Sequence, residues 1–437
     1  MNPVVPEETV LTACGEVDIP RMGTVEQVWE TDPIEDVRGA AREAVADLDW
    51  SGVPDGGEVA VGAGSRGIAN LPALVAGVVA GVRELGYDPF VVPAMGSHGG
   101  ATAEGQREKL AAFGVTEDAI GCEIRATMET VEVGTTPERG VAVVTDANAA
   151  AADAVLPVNR VKPHTDFDGR VESGLSKMLV IGYGKQRGAK TAHDWAVDWS
   201  FREMIPEITA LLLDALPVVG GVAVVEDQHD DTAVVEGVPP AGFLSREAEL
   251  LERAADLMPT LPFAELDVLV VDRMGKDVSG QGMDSNVTGR RHYTVNEPEP
   301  ESPDIKRVYA RSLTDATKGN AMGMGAADFV GSAVAEAVDA EKTLINAITA
   351  STVRGVRLPP VVETDRAGLT AALATGGVGT DRVVRVTDTM RLHRLYASEP
   401  LIEAARERED LRVVAEPEPV EFDDGAFVAP SPDLGEN

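Results

Sequence analysis

Residues Glu58 to Gly100 read EVAVGAGSRGIANLPALVAGVVAGVRELGYDPFVVPAMGSHGG. Glu58 to Gly62 is a short apolar run. Leu71 to Leu85 carries small and apolar residues at helical spacing. Pro89 to Pro93 is a second apolar run, and a Gly-Ser-His-Gly-Gly turn follows it. Strand, helix and strand in this order make a crossover unit, and crossover units build parallel sheets covered by helices.

The pattern continues in both directions. An amphipathic helix is expected over Ile34 to Asp47, after a short strand region. A helix is expected over Thr102 to Phe113, with Thr102 as its N-cap. Strands follow near Val131–Val133, Val141–Val144, Ala154–Pro157 and Val222–Val225, with helices through Leu211 and over Ser245–Leu257. The reading is α/β with a mostly parallel sheet. At 437 residues the chain has room for two or three domains of about 100–200 residues. Pro259 and Pro262 mark the start of a second α/β domain. It holds a strand at Leu266–Val271, helices near Ala333–Val338, Ala340–Ala347 and Ala367–Ala374, and a strand at Val383–Val386. The expected organisation is 1–261, then 262–415, with an active-site cleft between the two α/β domains. An exposed loop is expected at 297–303 and a frayed, acidic, proline-containing tail at 416–437.

The composition is acidic, with 73 Asp+Glu against 38 Lys+Arg and a formal net charge of −35. That field repels nucleic acid and anionic membranes, so neither is an expected partner. Apolar residues make up 44%, which argues for a folded chain with an acidic surface suited to high salt. Nine Lys against 29 Arg fits the same halophilic reading. Two cysteines, Cys14 and Cys122, are too few for a cysteine zinc site or a disulfide framework. The first residues lack the basic start and apolar core of a signal peptide, and the apolar stretch Ile208–Val225 is broken by Asp214, Pro217, Gly220 and Gly221. A cytoplasmic location is therefore expected.

Chemistry-bearing residues are concentrated in three places. Four of the nine lysines lie between Lys162 and Lys190, in a stretch that also carries His164, with His193 just beyond. The window Asn159 to Lys185 follows a strand, where α/β folds place ligand-binding loops. Its Ser173-Gly174 precedes a short helix bearing Lys177. The second place is Gly96-Ser97-His98-Gly99-Gly100, where glycines leave backbone room for a ligand beside His98. The third is Gly62-Ala63-Gly64-Ser65-Arg66-Gly67. This formally matches the dinucleotide-binding glycine fingerprint, but the acidic residue expected after the next strand is missing. An Arg inside the turn also suits a carboxylate or phosphate.

Taken together, these elements resemble the nickel-pincer lactate racemase family. The matching pieces are Ser65-Arg66, Gly96-Ser97-His98, Pro163-His164, Ser173-Gly174-Leu175-Ser176-Lys177, and His193 sixteen residues beyond that lysine. They span roughly residues 15–215. The resemblance implies a racemase or epimerase of a small 2-hydroxy acid. The cofactor would be a nickel pincer built on a pyridinium-3,5-bisthiocarboxylic acid mononucleotide. Lys177 would hold it covalently, flanked by Ser173 and Gly174, and His193 would ligate nickel. His98 and His164 would be the paired acid/base residues, and Arg66 would orient substrate. Cofactor-biosynthesis proteins would be partners, and a homo-oligomer is admitted. The first domain would carry the cofactor and both bases, and the second would close over substrate. Histidine suits both proton-transfer roles because its reference pKa of about 6.5 lies near neutrality.

The chain departs from that pattern. Ala63 stands where the family has an Asp three residues before the Arg. Three extra residues lie between His164 and Lys177. In the second domain the usual Gln and Lys that bind the substrate carboxylate are missing. In their place stand the polar segments Gly275–Arg290 and Thr317–Asn320, so Lys276, Arg290 and Lys318 are the candidate carboxylate binders. His229 reads as a solvated turn residue, and His292 and His393 as surface or interdomain residues. Two other readings stay open: a nicotinamide-dependent oxidoreductase using the Gly62–Gly67 turn, and a non-catalytic hydroxy-acid-binding homologue.

Overall fold

A computed structural model describes residues 4–64, 67–291 and 297–432. The chain forms two compact units, one of residues 31–258 and one that joins the residues up to Glu30 to those from Pro259 onward.

The 31–258 unit is built on a five-stranded sheet in the order Asp88–Pro93, Glu58–Ala63, Ala154–Arg160, Gly221–Glu226, Thr232–Val238. The first four strands are parallel and the last is antiparallel. Alternate residues enter different cores. Val59, Val61, Val91, Leu156, Val158 and Val224 pack with the helices Val37–Ala46 and Leu71–Glu84. Ala60, Phe90, Val92, Val155 and Ala223 pack with Phe201–Ala215 and Arg246–Leu257. Burial on both faces is why these strands read as unbroken apolar runs. Thr130–Thr135 and Ala142–Asp146 form a separate antiparallel hairpin, because the connection between them is too short for a parallel crossover.

Chain order sets the site. Strand 58–63 is followed by 88–93 on one side and by 154–160 on the other. The sheet therefore has a topological switch point between 58–63 and 154–160, and ligands of open α/β sheets bind outside the carboxyl ends of strands at such a point. The register places Ala63 opposite both Pro93 and Val158, so strands 58–63 and 88–93 end together and strand 154–160 runs two residues further.

The other unit carries a nine-stranded sheet. Its parallel part is Val4–Val5, Val361–Val362, Phe329–Gly331, Asp304–Leu313, Glu265–Met274 and Val383–Val386. Arg394–Ser398, Met22–Gln27 and Leu411–Glu418 extend it in antiparallel fashion. Strand Met22–Gln27 thus pairs in the second sheet, whereas the sequence reading grouped it with the first domain. Its anchor is non-local: the buried Gln27 amide donates to Thr260 O (2.9 Å) and Leu392 O (2.7 Å). The stretch read as a frayed tail is ordered up to residue 432. Leu411–Glu418 is an edge strand, and the hairpin Phe422–Asp423/Ala426–Phe427 sets the Phe427 ring under the Arg385 guanidinium at 4.2 Å. Two such cation–π contacts, with Arg311 and Arg385, and a 2.6 Å bond from Ser431 to Asp272 hold it down.

Candidate functional site

The three sequence elements meet at the carboxyl ends of strands 58–63, 88–93 and 154–160. Strand 58–63 ends at Ala63, and the glycine turn continues through Gly64; Ser65 and Arg66 lie outside the described residues. A Cβ on Gly64 would be in contact with the Asn159 side chain and the end of Met178. The glycine turn therefore adjoins both the end of strand 154–160 and the residue after Lys177. Asn159 in turn donates to Gly174 O at 2.7 Å.

Strand 88–93 runs into the His98 turn. Positive φ at Gly96 (59°), Gly99 (68°) and Gly100 (64°) lets the backbone coil tightly. His98 itself is exposed at its tip. The following helix Ala103–Ala112 is capped as expected, Thr102 Oγ1 accepting from Gly105 N at 3.1 Å.

Strand 154–160 leads into a loop closed by paired backbone bonds between Lys162 and Ser173, at 2.9 and 3.2 Å. Inside it, the buried Glu172 carboxylate accepts from His164 N (2.5 Å) and Gly169 N (3.0 Å). His164 Nδ1 accepts from Asp166 N at 3.0 Å. The ring stacks on Phe167 at 4.7 Å. Phe167 packs on Phe201 at 5.6 Å, and Phe201 meets the His193 ring edge-on at 5.5 Å. One aromatic cluster thus joins His164 to His193.

Lys177 ends the short helix Leu175–Lys177, and the chain continues directly into a wide π turn over Met178–Gly182. Such turns are rare and occur often at functional sites. Gly182 O accepts from Gly96 N at 3.0 Å, which ties this turn to the His98 segment. His193 sits two turns into Lys185–Trp195. Its pKa is lowered by burial and by the neighbouring Lys177 charge, against the opposing pull of Asp166 and Asp194. A neutral imidazole beside a lysine amine is a donor set that fits a group anchored on the lysine and bringing most of its own metal ligands.

Glu247 was not anticipated from sequence. It is fully buried and accepts from Ser176 N and Ser176 Oγ, both at 3.0 Å, so it caps the segment bearing Lys177. A Cβ on Gly174 would lie 2.3 Å from its Oε1, which explains the glycine there. Burial pushes the Glu247 carboxyl up to about 7. Nothing local pointed to Glu247, because its partners are some seventy residues away.

In the other unit, the two polar segments are neighbours. Lys276 Nζ (2.6 Å) and Asn320 Nδ2 (2.9 Å) both donate to Asn346 Oδ1, and Lys276 N donates to Thr317 Oγ1 at 3.2 Å. Lys318 is exposed in a left-handed turn with φ 49°. Arg290 donates to the carbonyls of Ala326, Ile305 and Lys306 and pairs with Asp328 at 2.7 Å, so its guanidinium ties loops together. His229 is in the Asp227 turn, its N–H donating to Asp227 Oδ1 at 2.9 Å. The His393 ring lies tilted against Trp29 with centroids 5.3 Å apart, and His292 lies outside the described residues.

Among solved structures, the chain is similar to the lactate racemase apoprotein from Thermoanaerobacterium thermosaccharolyticum. The TM-score is 0.46 at 10% identity, over 84% of this chain and 89% of that one. It is also similar to a protein from Thermotoga maritima, with a TM-score of 0.45 at 15% identity, over 65% of this chain and 72% of that one. No family model matches the chain, and no curated protein matches it.

Among the described residues of the glycine turn, Gly62 serves packing rather than a dinucleotide cradle. A Cβ on Gly62 would fall 2.2 Å from the Tyr183 hydroxyl, so this glycine makes room for a buried tyrosine. The next helix begins only at Leu71, and the Ala69 N–H near its start donates to the Glu226 carboxylate at 2.6 Å. A pyrophosphate needs the glycine turn to open directly onto free amides at a helix start. No helix among the described residues is long and apolar enough to cross a membrane.

Proposed function

We propose that this chain is a racemase or epimerase of a small 2-hydroxy acid and carries a nickel-pincer mononucleotide on Lys177. The observation that carries this reading is the convergence at one switch point. The His98 turn, the His164 loop and the Lys177 segment adjoin one another at the ends of three parallel strands, with His193 in electrostatic reach of Lys177.

When bound, the group would supply hydride-acceptor chemistry at the α-carbon of the substrate. The residues of the chain do the rest. Lys177 would hold the group, with Ser173 and Gly174 shaping the backbone beside it, and His193 would supply the nickel ligand. His98 and His164 would be the acid/base pair: one takes the substrate hydroxyl proton, the other, in its protonated form, returns a proton to the oxygen, and for the other enantiomer the roles reverse. The Phe167–Phe201 pair links the His164 and His193 rings through aromatic contacts. Arg66 would orient the carboxylate. Proteins that make the cofactor are the partners this reading requires.

The test uses full-length protein from a host able to make the cofactor. Intact mass and nickel content should show a nucleotide adduct on Lys177 with near-stoichiometric metal. Lys177→Ala should lose the adduct. His98→Ala should keep it and lose α-hydrogen exchange of a 2-hydroxy acid by about 100-fold or more. Full turnover in either variant would sink the reading, and binding without exchange in the native chain would make it a non-catalytic homologue.

A further inference from the structure

Beneath the His98 turn lies a charged network that the proposed chemistry does not use. Lys185 and Asp146 are both fully buried and form an ion pair at 2.8 Å. Lys185 Nζ also donates to Pro93 O at 2.6 Å and to Gln106 Oε1 at 3.3 Å. Gln106, fully buried as well, donates from Nε2 to Gly96 O at 2.8 Å and towards His98 O at 3.4 Å. Asp146 Oδ1 accepts from Asn148 N and Ala149 N, at 2.7 and 3.0 Å, and so is held in place itself. Three carbonyls of the segment bearing His98 thus end on one amide and one ammonium.

Lys185 is also unusual in its backbone. It has a φ of 53° at the first residue of the helix that bears His193. A left-handed lysine costs roughly 1 kcal/mol and persists only where its surroundings over-determine it. A buried ion pair is weak evidence for stability, since desolvation offsets much of the attraction. What the pair does here is geometric. One side chain fastens the start of the His193 helix to the root of the His98 turn.

We propose that Gln106 and Lys185, with Asp146 as counter-ion, are positioning residues that fix His98 for proton transfer. The inference rests on the proposed function for the role of His98, but the holding of the turn stands on the geometry alone.

Two measurements on the full chain separate these. The first is amide hydrogen exchange. Gln106→Met removes the clamp without stranding a charge, and exchange over residues 94–102 should rise about tenfold or more. Strands 58–63 and 154–160 should stay protected. Unchanged exchange over 94–102 overturns the proposal, whatever the chemistry of the protein. The double variant Lys185→Met/Asp146→Asn removes both buried charges together and guards against a misfolded single variant; it should loosen the same segment. The second measurement is kinetic, on cofactor-loaded protein. Gln106→Met should keep the Lys177 adduct and leave KM within about twofold while kcat falls about 10- to 100-fold. Combined with His98→Ala it should be no slower than His98→Ala alone, because both remove the same contribution. Losses that multiply would show that Gln106 acts elsewhere and overturn the positioning role. Absence of adduct and turnover in the native chain would instead remove the functional reading, and the exchange result would still decide whether the clamp holds the turn.

Discussion

A Cβ on Gly62 would stand 2.2 Å from the Tyr183 hydroxyl and 2.6 Å from its Cζ, in a region where Tyr183 is fully buried. No rotamer change relieves contact with a ring already packed on all sides, so Gly62→Ala should destabilise the protein by about 2 kcal/mol. Thermal melts would then show a fall in Tm of about 4–8 °C; an unchanged Tm would mean that the ring is free to shift. Glu247 gives a prediction with a definite sign. Its carboxyl is pushed from 4.5 up to about 7 by burial. The folded state therefore holds the proton more tightly than the unfolded chain between these values. Its contribution is fully present below about pH 4.5 and is lost as pH rises through about 7, a change of roughly 3 kcal/mol. Glu247→Gln should flatten this slope, so that denaturant unfolding at about pH 5 and about pH 8 differs less than in the native chain. An equal slope in both would remove Glu247 as its source. Neither residue's role was legible in the sequence, since a glycine in a motif looks the same whether it faces a ligand or a tyrosine. Arg290 is the converse case: it looked available for a carboxylate, and its partners turn out to be carbonyls and Asp328 of its own unit.

At the scale of elements, what the sequence made legible follows burial. Strands 58–63, 88–93, 154–160 and 221–226 are covered on both faces, so their apolar runs stand out, and the helix 71–84 has buried residues all along it. The edge elements were harder to see. Thr232–Val238 is mostly half-buried, and Met22–Gln27 shows its place only through partners at 394–398 and 411–418. Cap chemistry was readable because it is local. Thr102 accepts from Gly105 N at 3.1 Å and donates to Gly99 O at 3.2 Å, joining the Ala103–Ala112 helix to the His98 turn. Thr102→Ala should therefore cost about 1 kcal/mol, and Thr102→Ser should recover most of it. Urea unfolding of the two variants checks this, and equal losses would show that the methyl group matters more than the hydroxyl. The π turn after Lys177 was not readable, because a Met-Leu-Val-Ile-Gly run is equally good α-helix; the wider i→i+5 bond, Tyr183 N to Met178 O at 2.9 Å, is set by how Tyr183 and Gly182 pack.

For the molecule as a whole, charge decides how stability responds to salt. Acidic residues exceed basic ones by 35. Two opposite effects compete when salt is added. Ion pairs such as Arg246 with Glu236 and Glu249, or Arg406 with Glu403 and Glu416, are screened and weakened. Surface pairs of this kind are worth about 0–1 kcal/mol each, and the carboxylates in excess of them have only one another to repel. Screening that repulsion stabilises the compact state more than the weakened pairs cost it. The Debye length falls from about 10 Å at 0.1 M to about 3 Å at 1 M, which spans the spacing of neighbouring surface charges. The Tm should therefore rise by several degrees between about 0.1 M and about 1 M potassium chloride. Choline chloride at the same ionic strength should give the same rise if screening is the cause. A rise with potassium alone would point to bound cations, and a flat or falling Tm would show that the arginine pairs outweigh the acidic surplus.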